Sequence, residues 1–521
     1  MKTIDRILFF LILLLFSGSS CSPKLATTPG VTISSTAPVN PVLKGMATNP
    51  VLRIAVNISG SQEINYKGIR LSLNSEARNS IENMDVYFTD TLASFASKNK
   101  IASLSSLTKE LLIPINIRLS AGVHYLWLSA SLKSNANVDK VIEVHANALV
   151  DEKNNKQTVS EDESAFKKRT GIALRKAGDD NVNTYRIPGI TTTDKGTLIA
   201  VYDIRYNNSK DLPENIDVGM SRSVDGGETW QPMKVIMDMG APHENNGIGD
   251  PSILFDPVTK KIWVAALWSK GNRSIAGSEP GLSPDTTGQF VLVSSRDDGL
   301  SWSVPYNITT QVKDPAWHLY FQGPGSGIAM QNGTLVFPSQ YWDESRKPGL
   351  PHSSIIYSSD HGNSWKSGIG AKSNTTESNV VETQPGSLML NMRDNRGKFR
   401  SVAVTNDMGK TWKEHATSQG ALPDPVCMGS LIKARMNVKG IMKDVLFFSN
   451  PNTSSGRYNI TIKASLDLGE TWESVNQLLV DERRCYGYST LTKVDDNTIG
   501  ILYEGTKDLY FVKVPVGEII K

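Results

Sequence analysis

The 521-residue sequence is poor in cysteine, in long apolar runs and in excess charge of either sign. Three cysteines are too few for a disulfide-rich scaffold; Cys427 and Cys485 could pair, but we expect two buried thiols. Lysine and arginine number 55 against 52 acidic residues, so the chain lacks the basic composition that indicates nucleic-acid binding. The seven histidines show no metal-ligand spacing. We therefore expect no metal, no cofactor and no nucleic-acid partner.

The longest apolar run lies at the N-terminus, from Ile7 to Phe16, after Lys2 and Arg6. It is too short to span a bilayer and is typical of an export signal. Small residues lead from it to Cys21, as in the signals of bacterial lipoproteins, whose cysteine becomes the lipidated N-terminus. A plain secretory signal is the alternative. Residues 1–21 thus predict export to the periplasm or cell surface, with a membrane anchor at Cys21 if it is lipidated.

The composition divides the remaining chain into three parts. Residues 22–49 are rich in serine, threonine, proline and alanine, which is typical of a flexible tether. Residues 50–160 contain runs with alternating apolar and polar side chains, which predict a small β-sandwich. Its Tyr125 and Trp127 could stack on carbohydrate, although such aromatics are more often core residues. The polar residues 151–163 are the expected join to the third part.

The third part, residues 170–521, carries one octamer five times. Its pattern is S/T-x-D-x-G-x-S/T-W, and the copies begin at Ser223, Ser295, Ser358, Thr405 and Ser465. The aspartate can bond nearby backbone N–H groups, and the glycine permits a positive φ. The tryptophan supplies an apolar plate that packs beneath the turn. Each copy therefore predicts a tight turn, and repetition makes it a scaffold element rather than an active site.

The spacing of these turns indicates a β-propeller. Copies recur about every 60 residues, in the range of repeated supersecondary units. Between them lie short apolar runs such as Lys261 to Trp268, bounded by Gly, Asn and Asp, with almost no helical period. The chain from about Gly171 has room for roughly six four-stranded blades. We predict an all-β protein, a six-bladed propeller behind a β-sandwich, whose last blade lacks the octamer.

Functional residues are expected among polar residues that occur once, at strand ends that face the central channel. Arg186 lies in Tyr185-Arg-Ile-Pro-Gly189, at the start of the first blade. Arg393 ends an apolar run, and Arg457 precedes the strand that leads into the last octamer. Three guanidiniums from separate blades would together clamp one anionic group, most naturally a carboxylate.

The Arg-Ile-Pro motif, the five octamers and Gly487-Tyr488-Ser489, in this order, resemble bacterial exo-sialidases (neuraminidases). The resemblance covers about Gly171 to Lys521 and, less specifically, the preceding β-sandwich. It implies an exo-α-sialidase that removes terminal sialic acid from glycoproteins, glycolipids or oligosaccharides. It further implies retention of anomeric configuration through a covalent sialyl-tyrosine intermediate. The expected partners are sialylated glycans, and the expected state is a monomer.

The resemblance also implies the catalytic residues. Tyr488 would be the nucleophile, because its position between Gly487 and Ser489 favours it over its neighbour Tyr486, although either tyrosine could be ordinary propeller packing. Glu377 would be its general base, with Glu382 as the competitor. Asp211 would be the acid and base for the leaving group and for water, on a loop with other charged side chains. These others are Lys210, Glu214 and Asp217.

The remaining implied residues bind or support the substrate. The carboxylate of sialic acid would be held by the arginine triad, Arg186, Arg393 and Arg457. Arg205 would line the same pocket, and Asp250 would contact polar substituents of the sugar. Trp268 could pack against the N-acetyl group, although strand tryptophans are more often core. Glu504 would orient Arg186.

A tyrosine nucleophile is chemically reasonable for this substrate. Most glycosidases use two carboxylates, and sialidases are among the exceptions. Sialic acid carries a carboxylate on its anomeric carbon, which would repel a carboxylate nucleophile. A phenol is neutral until it reacts, but it needs a base and a cationic setting. Two alternatives remain, a transferase that moves the sialyl group to another sugar or to its own hydroxyl, and a lectin that binds without turnover.

Overall fold

The computed structural model describes residues 30–161 and 166–521, whose regular secondary structure is almost entirely β-strand. The signal segment and Cys21 lie outside the described residues, so the export signal and the lipid anchor stay predictions. In the two described ranges, no helix is long and apolar enough to cross a membrane.

The N-terminal β domain that the sequence predicts is present, and its described part has two sheets on one apolar core. Its helix α1 is Ser75–Ser80 and its strands are β1 Val31–Thr36, β2 Val42–Lys44, β3 Asn49–Ile58, β4 Ile64–Leu73, β5 Ile81–Asp90, β6 Lys100–Leu104, β7 Glu110–Leu119, β8 Gly122–Leu132, β9 Val141–Asp151, β10 Lys156–Thr158 and β11 Ser160–Glu161. One sheet has the order β11-β1-β3-β8-β5-β6, and the other contains β9-β4-β7. Every second side chain of β7 is buried, because successive side chains of a strand point to opposite faces.

The predicted flexible tether is wrong for its described part, residues 30–49. Strand β1 pairs antiparallel with β3 along its whole length, and the Asn49 side chain accepts a 2.9 Å hydrogen bond from the Leu43 N–H. The polar composition was misleading because β1 alternates exposed Ser and Thr with buried Ile33 and Ser35. Tertiary pairing with β3 satisfies its backbone. The predicted join is likewise partly folded, because β10 and β11 pair with β9 and β1.

The second domain continues with strands and two more single-turn helices. Its strands are β12 Lys167–Arg175, β13 Thr184–Thr192, β14 Leu198–Arg205, β15 Ile216–Ser223, β16 Lys234–Met237, β17 Ile248–Asp256, β18 Lys261–Trp268, β19 Gln289–Ser295, β20 Tyr306–Asn307, β21 Leu319–Gln322, β22 Gly325–Ser326, β23 Ile328–Ala329, β24 Leu335–Trp342, β25 Pro351–Ser358, β26 Lys366–Ser367, β27 Lys372–Ser373, β28 Thr375–Gln384, β29 Ser387–Asp394, β30 Lys398–Phe399, β31 Ser401–Thr405, β32 Lys413–Glu414, β33 Pro423–Asp424, β34 Ser430–Val438, β35 Ile441–Pro451, β36 Ile460–Ser465, β37 Gln477–Asp481, β38 Ser489–Asp495, β39 Thr498–Glu504 and β40 Leu509–Pro515. The helices are α2 Thr309–Val312 and α3 Val516–Ile519, besides a 3₁₀ turn at Asp179–Asn181.

The strands of this domain form successive antiparallel meanders, as in a β-propeller. The orders are β13-β14-β15-β16, β17-β18-β19-β20, β21-β24-β25-β26, β28-β29-β31-β32 and β34-β35-β36-β37. The last meander, β38-β39-β40, gains its outer strand from β12 at the start of the domain. Pairing the two ends of the domain in one sheet holds the array together. The count of six blades stays a prediction.

The five octamers are turns that close the third strand of a meander. In the first, Asp225 accepts hydrogen bonds from the Ser223 hydroxyl and from the Thr229 N–H and hydroxyl, at 2.5–3.0 Å. Gly227 has φ 90° and donates to Ser223. The same bonds recur in the other four copies. Their tryptophans pack against separate core clusters; these are Trp230, Trp302, Trp365, Trp412 and Trp472.

The octamers lie at the opposite end of each sheet from the predicted site. Because neighbouring strands are antiparallel, the start of the first strand and the end of the second share one end of a meander. Arg186 pairs with Asp203, so the Arg-Ile-Pro motif and the end of β14 lie together. The third strand, β15, runs from that end to the octamer at Ser223. The repeated turns therefore lie at the end of each sheet that is remote from the predicted site.

Strand β12 also joins the two domains. Its residues 167–169 pair with β9 and its later residues pair with β40. Lys168 lies on this shared strand, only 2% exposed, and donates a hydrogen bond to the Pro38 carbonyl. Burial lowers the pKa of Lys168 to about 7, against the opposing charge of Glu482. The junction therefore contains a buried amine that titrates near neutral pH.

Lys168→Met is expected to flatten the pH dependence of stability between pH 7 and 10.5. In this window the unfolded chain binds a proton at Lys168 that the folded protein does not, since the ordinary pKa is 10.5. The wild type should therefore gain stability as pH rises, by at most about 1.4 kcal/mol per pH unit, and lose it as pH falls towards 7. Denaturant unfolding at pH 7 and pH 9 measures the slope. Lys167→Met, whose lysine is 77% exposed, is the control; identical slopes in all three proteins would contradict the prediction.

Candidate active site

The first and last meanders meet at Arg186 and Glu504. Glu504, 0% exposed, accepts hydrogen bonds at 3.0 Å from Arg186 Nε and from the Ile187 N–H on one oxygen. Its other oxygen accepts from the Tyr488 N–H at 2.9 Å. A single buried carboxylate thus aligns the Arg-Ile-Pro motif with the Gly-Tyr-Ser motif, as the resemblance implies for Glu504.

Tyr488, Glu377 and Arg393 form one hydrogen-bonded group. The Tyr488 hydroxyl donates a short hydrogen bond to Glu377 Oε1, and Arg393 Nη1 lies 2.6 Å from Glu377 Oε2. The same Nη1 is 3.1 Å from the Tyr488 oxygen. Burial and the Glu377 charge raise the pKa of Tyr488 well above its usual value, while Arg393 and Arg186 act in the opposite sense. The phenol is therefore neutral at rest, with a base and a cation in contact with its oxygen.

The three predicted triad arginines surround the Tyr488 ring. The guanidinium carbons of Arg186 and Arg457 lie 5.3 Å and 5.7 Å from the ring centroid, and Arg393 contacts the hydroxyl. Arg457 is held by two backbone carbonyls, of Tyr486 at 2.8 Å and Val426 at 3.1 Å. Among the described residues it has no carboxylate partner. Its charge is therefore available to an anionic ligand.

Asp211 lies at the mouth of this group, with its side chain 78% exposed. Its Oδ1 accepts from Arg205 Nη1 at 2.7 Å and from Arg186 Nη1 at 3.2 Å. Partial burial would raise the pKa of Asp211, but Arg205 and Arg186 outweigh burial and hold it below its usual value. The carboxyl is therefore ionised at neutral pH in the ligand-free site.

The Arg205 guanidinium forms an ion pair with the Asp203 carboxylate, and both side chains are buried. Its Nε and Nη2 lie 3.1 and 2.9 Å from Asp203 Oδ2, and Asp203 Oδ1 accepts from the Asp250 N–H at 2.8 Å. The Asp250 carboxyl makes no hydrogen bond to another described residue. Burial raises the pKa of Asp250 well above its usual value, and the Asp203 and Asp211 charges add to this. Asp250 is therefore suited to meet hydroxyl groups of a ligand.

Two β-bulges lie beside Arg186 and Asp250 and orient their side chains. The pairing of β13 shifts between Arg186 and Gly189, and that of β17 shifts between Gly249 and Ser252. Ile187 and Asp250, each followed by proline, have φ 55° and 57°, a region uncommon for residues other than glycine and rare for a β-branched residue such as Ile187. Bulges and such strained residues re-aim side chains at functional sites.

The other carboxylates that the sequence offers for the base and for the acid make different contacts from Glu377 and Asp211. Glu382 accepts hydrogen bonds from the Gln331 and Gly386 N–H groups, both at 2.8 Å, and not from Tyr488. Glu214 binds Asn208 at 3.0 Å and Asp217 binds Tyr206 at 3.0 Å, so neither contacts the arginines.

Among the described residues, Trp268 and the cysteine thiols make no hydrogen bond to Tyr488, Glu377 or Asp211, although Cys427 packs against Tyr488. Trp268 lies at the end of β18, where its Nε1 donates to Asn246 Oδ1 at 2.9 Å and its ring packs on a core cluster. Its contact with a ligand stays a prediction. Cys427, which is buried, and Cys485, which is partly buried, are free thiols. In the N-terminal domain Trp127 is buried and so cannot stack on a sugar.

Three residues of the site escaped the sequence reasoning. Asp203 was detectable, because it is two positions from Arg205 on one strand and must share its face. Arg400 has no such signal; it is fully buried and donates hydrogen bonds to Asn391 Oδ1, at 2.7 Å, and to the Cys427 carbonyl. Tyr486 belongs to no binding motif in the sequence, yet its carbonyl accepts a hydrogen bond from Arg457 and its ring lies 5.0 Å from the Arg186 guanidinium carbon.

Family models match both domains of the chain. A model described as BNR repeat-like domain matches residues 187–507. A model described as N-terminal domain of BNR-repeat neuraminidase matches residues 30–156, so it includes β1. All the site residues described above fall within the first match except Arg186, which lies one residue before it.

Individual relatives are also similar. A sialidase of Bacteroides fragilis is 50% identical over 415 residues, 78% of this chain and 75% of that protein. A sialidase of Micromonospora viridifaciens is 33% identical over 63% of this chain and 50% of that protein. The structure of Hadza microbial sialidase Hz136 is 38% identical, with a TM-score of 0.86, and covers 94% of this chain and 100% of that one. The chain therefore belongs to the BNR-repeat neuraminidase family, the sialidases among the glycoside hydrolases.

Proposed function

We propose that the protein is an exo-α-sialidase that hydrolyses terminal sialic acid with retention of configuration, through a sialyl-tyrosine intermediate on Tyr488. The observation that carries the proposal is the contact of one phenol oxygen with both Glu377 and Arg393. Two further guanidiniums stand over the same ring. An uncharged nucleophile among three cations is suited to an anomeric centre that bears a carboxylate.

Substrate binding begins with the carboxylate of sialic acid. Arg186, Arg393 and Arg457 each present N–H donors, and charge-assisted bonds to carboxylates are roughly twice as strong as neutral ones. Asp250 accepts or donates hydrogen bonds at the sugar hydroxyls. Asp211, at the exposed edge, is placed to meet the glycosidic oxygen.

The first half-reaction transfers the sialyl group to the enzyme. Glu377 takes the phenol proton as Tyr488 oxygen attacks the anomeric carbon. The bond to the glycosidic oxygen breaks, and Asp211 protonates that oxygen so that the aglycone leaves as an alcohol. Binding of the substrate carboxylate offsets the charge of Arg186, which raises the pKa of Asp211 from its lowered value in the free site. Substrate binding thereby favours uptake of a proton from solvent by the Asp211 carboxylate, which makes it an acid.

The second half-reaction returns the enzyme to its resting state. The Asp211 carboxylate takes a proton from water, and the hydroxide attacks the anomeric carbon from the vacated side. The tyrosyl oxygen leaves and recovers its proton from Glu377, and Asp211 releases its proton to solvent when the product departs. Two displacements retain the configuration, so the first product is the α-anomer of free sialic acid.

Turnover of a fluorogenic sialoside tests the activity, and early-time NMR tests the stereochemistry. We expect α-sialic acid to appear before mutarotation. Absence of turnover above background would defeat the enzyme proposal and leave a lectin, and initial release of the β-anomer would defeat the retaining mechanism. Added lactose separates hydrolysis from transfer, since sialyllactose formation that outpaces free sialic acid would indicate a transferase.

Arg393→Ala is expected to weaken binding of the carboxylate-bearing sialic acid analogue DANA by about 1.5–3 kcal/mol, or roughly 10- to 150-fold. The change removes a charge-assisted clamp and the cation shared by Glu377 and Tyr488. Calorimetric titration measures it. Arg435→Ala, an exposed arginine of β34 paired with Asp444, is the control. A DANA affinity equal to that of the control would remove Arg393 from the carboxylate site.

A further inference from the structure

Tyr486 contacts two triad arginines in different ways. The Arg186 guanidinium carbon lies 5.0 Å from its ring centroid, within the range of a cation–π contact. Its backbone carbonyl accepts from Arg457 Nη1 at 2.8 Å. Arg186 comes from β13 and Arg457 from the loop between β35 and β36, so Tyr486 connects separate meanders.

The turn that carries Tyr486 is itself firmly held. The Tyr486 N–H donates to the Gly505 carbonyl at 3.0 Å, and the Cys485 N–H donates to the Arg457 carbonyl at 3.1 Å. Gly487 has φ 99°, and a Cβ there would lie 2.9 Å from both Arg457 Cδ and Cys427 Sγ. The next residue is the nucleophile, so the turn fixes both tyrosines relative to Arg457.

The side chain of Tyr486 has no other evident task. It is half-buried, and its hydroxyl makes no hydrogen bond to another residue in the described ranges. A residue that only filled the core would be covered by apolar neighbours; this ring is instead beside the guanidinium of Arg186 at the rim of the site. Arg186 has its Nε on Glu504 and its Nη1 on Asp211, so the ring supports it from a further direction.

We propose that Tyr486 is a positioning residue of the carboxylate clamp, whose ring holds the Arg186 guanidinium beside Arg457 for the sialic acid carboxylate. The inference rests on the proposed function and adds a residue to it. It acts through the ring face, not the hydroxyl, and specifically on recognition of negative charge. Removal of the ring should therefore raise KM more than it lowers kcat.

The test is a thermodynamic cycle between Tyr486 and the ligand charge. DANA and its methyl ester, which lacks the charge, are titrated into the wild type, Tyr486→Phe and Tyr486→Leu. The ratio of the ester Kd to the acid Kd measures the preference for the acid. We expect this ratio to be about two- to tenfold smaller in Tyr486→Leu than in the wild type, which is the size of a cation–π contact. Tyr486→Phe keeps the ring and should keep the preference. Tyr486→Gln is a second ring-free variant should the leucine protein not fold.

The outcomes separate this inference from the proposed function. If the ring-free variants bind acid and ester equally more weakly, or bind both as the wild type does, the preference for the acid is unchanged. Either result would make Tyr486 merely structural and overturn the inference. A wild type that does not prefer the acid would overturn the carboxylate clamp, and the proposed function and the inference with it. Tyr357→Leu, a partly buried tyrosine of β25 packed on another core cluster, is the matched control and should keep the wild-type preference.

Discussion

Tyr488→Phe is expected to lower kcat for sialoside hydrolysis by a factor on the order of 10³ to 10⁶, the range for loss of a nucleophile in a coupled catalytic set. Phenylalanine keeps the packing against Ile187, Cys427 and Met428 but has no oxygen to attack the anomeric carbon. DANA binding should persist, because the three arginines remain. Initial rates with a fluorogenic sialoside, together with DANA titration, measure both effects.

The covalent step can be examined separately. A difluorinated sialic acid, which slows release of the sialyl group, should label the wild-type peptide that contains Tyr488 and leave Tyr488→Phe unlabelled in mass spectrometry. Tyr357→Phe controls for loss of a tyrosine hydroxyl elsewhere. A near-normal rate in Tyr488→Phe, or a label on another residue, would refute its role as nucleophile.

Asp211→Asn is expected to lower kcat by about 10²- to 10⁴-fold on sialyllactose, whose leaving sugar needs a proton. An aryl sialoside releases a stable anion, so its first half-reaction should suffer much less. Its second half-reaction still lacks the base for water. The variant should therefore release a burst of aryl alcohol followed by slow turnover, which stopped-flow fluorescence can detect. Equal losses on both substrates without a burst would contradict the assignment.

The pH dependence of kcat should change in the same variant. In the proposed mechanism Asp211 acts as an acid in the complex, so the wild-type kcat should fall as pH rises through its pKa there. Asparagine does not titrate, and that alkaline limb should disappear on sialyllactose. Glu214→Gln, which replaces a carboxyl on the same loop without contact to the arginines, should keep the limb. Persistence of the limb in Asp211→Asn would assign it to another group.

The motifs predicted much of this site because they are local. Each octamer contains its own donors and acceptors within eight residues, so its turn geometry is readable from its letters. The arginines and Tyr488 were recognised by their motifs and order. The hydrogen bond between Arg186 and Glu504 joins residues 318 positions apart, and only the resemblance suggested it.

The misjudged and missed elements share a physical cause. The polar composition of strand β1 predicts a tether, while the strand is stabilised by pairing with β3 and β11 on either side. Tyr486 carries no motif of its own, and its role depends on where Arg186 and Arg457 arrive. Both depend on partners from distant segments.

The sequence by itself determined the all-β character, the repeated turns and the separate N-terminal β domain. These follow from alternation and from glycine and aspartate at turns, whereas the residues proposed to bind and attack an anionic sugar were indicated by the resemblance of their motifs to a known family. The tertiary structure decided that β12 joins both domains, that Asp203 holds Arg205, and that Glu377 rather than Glu382 meets Tyr488. Those choices depend on how sheets built from distant segments pack, because a side chain acquires its partner only when the strands that carry both are brought together.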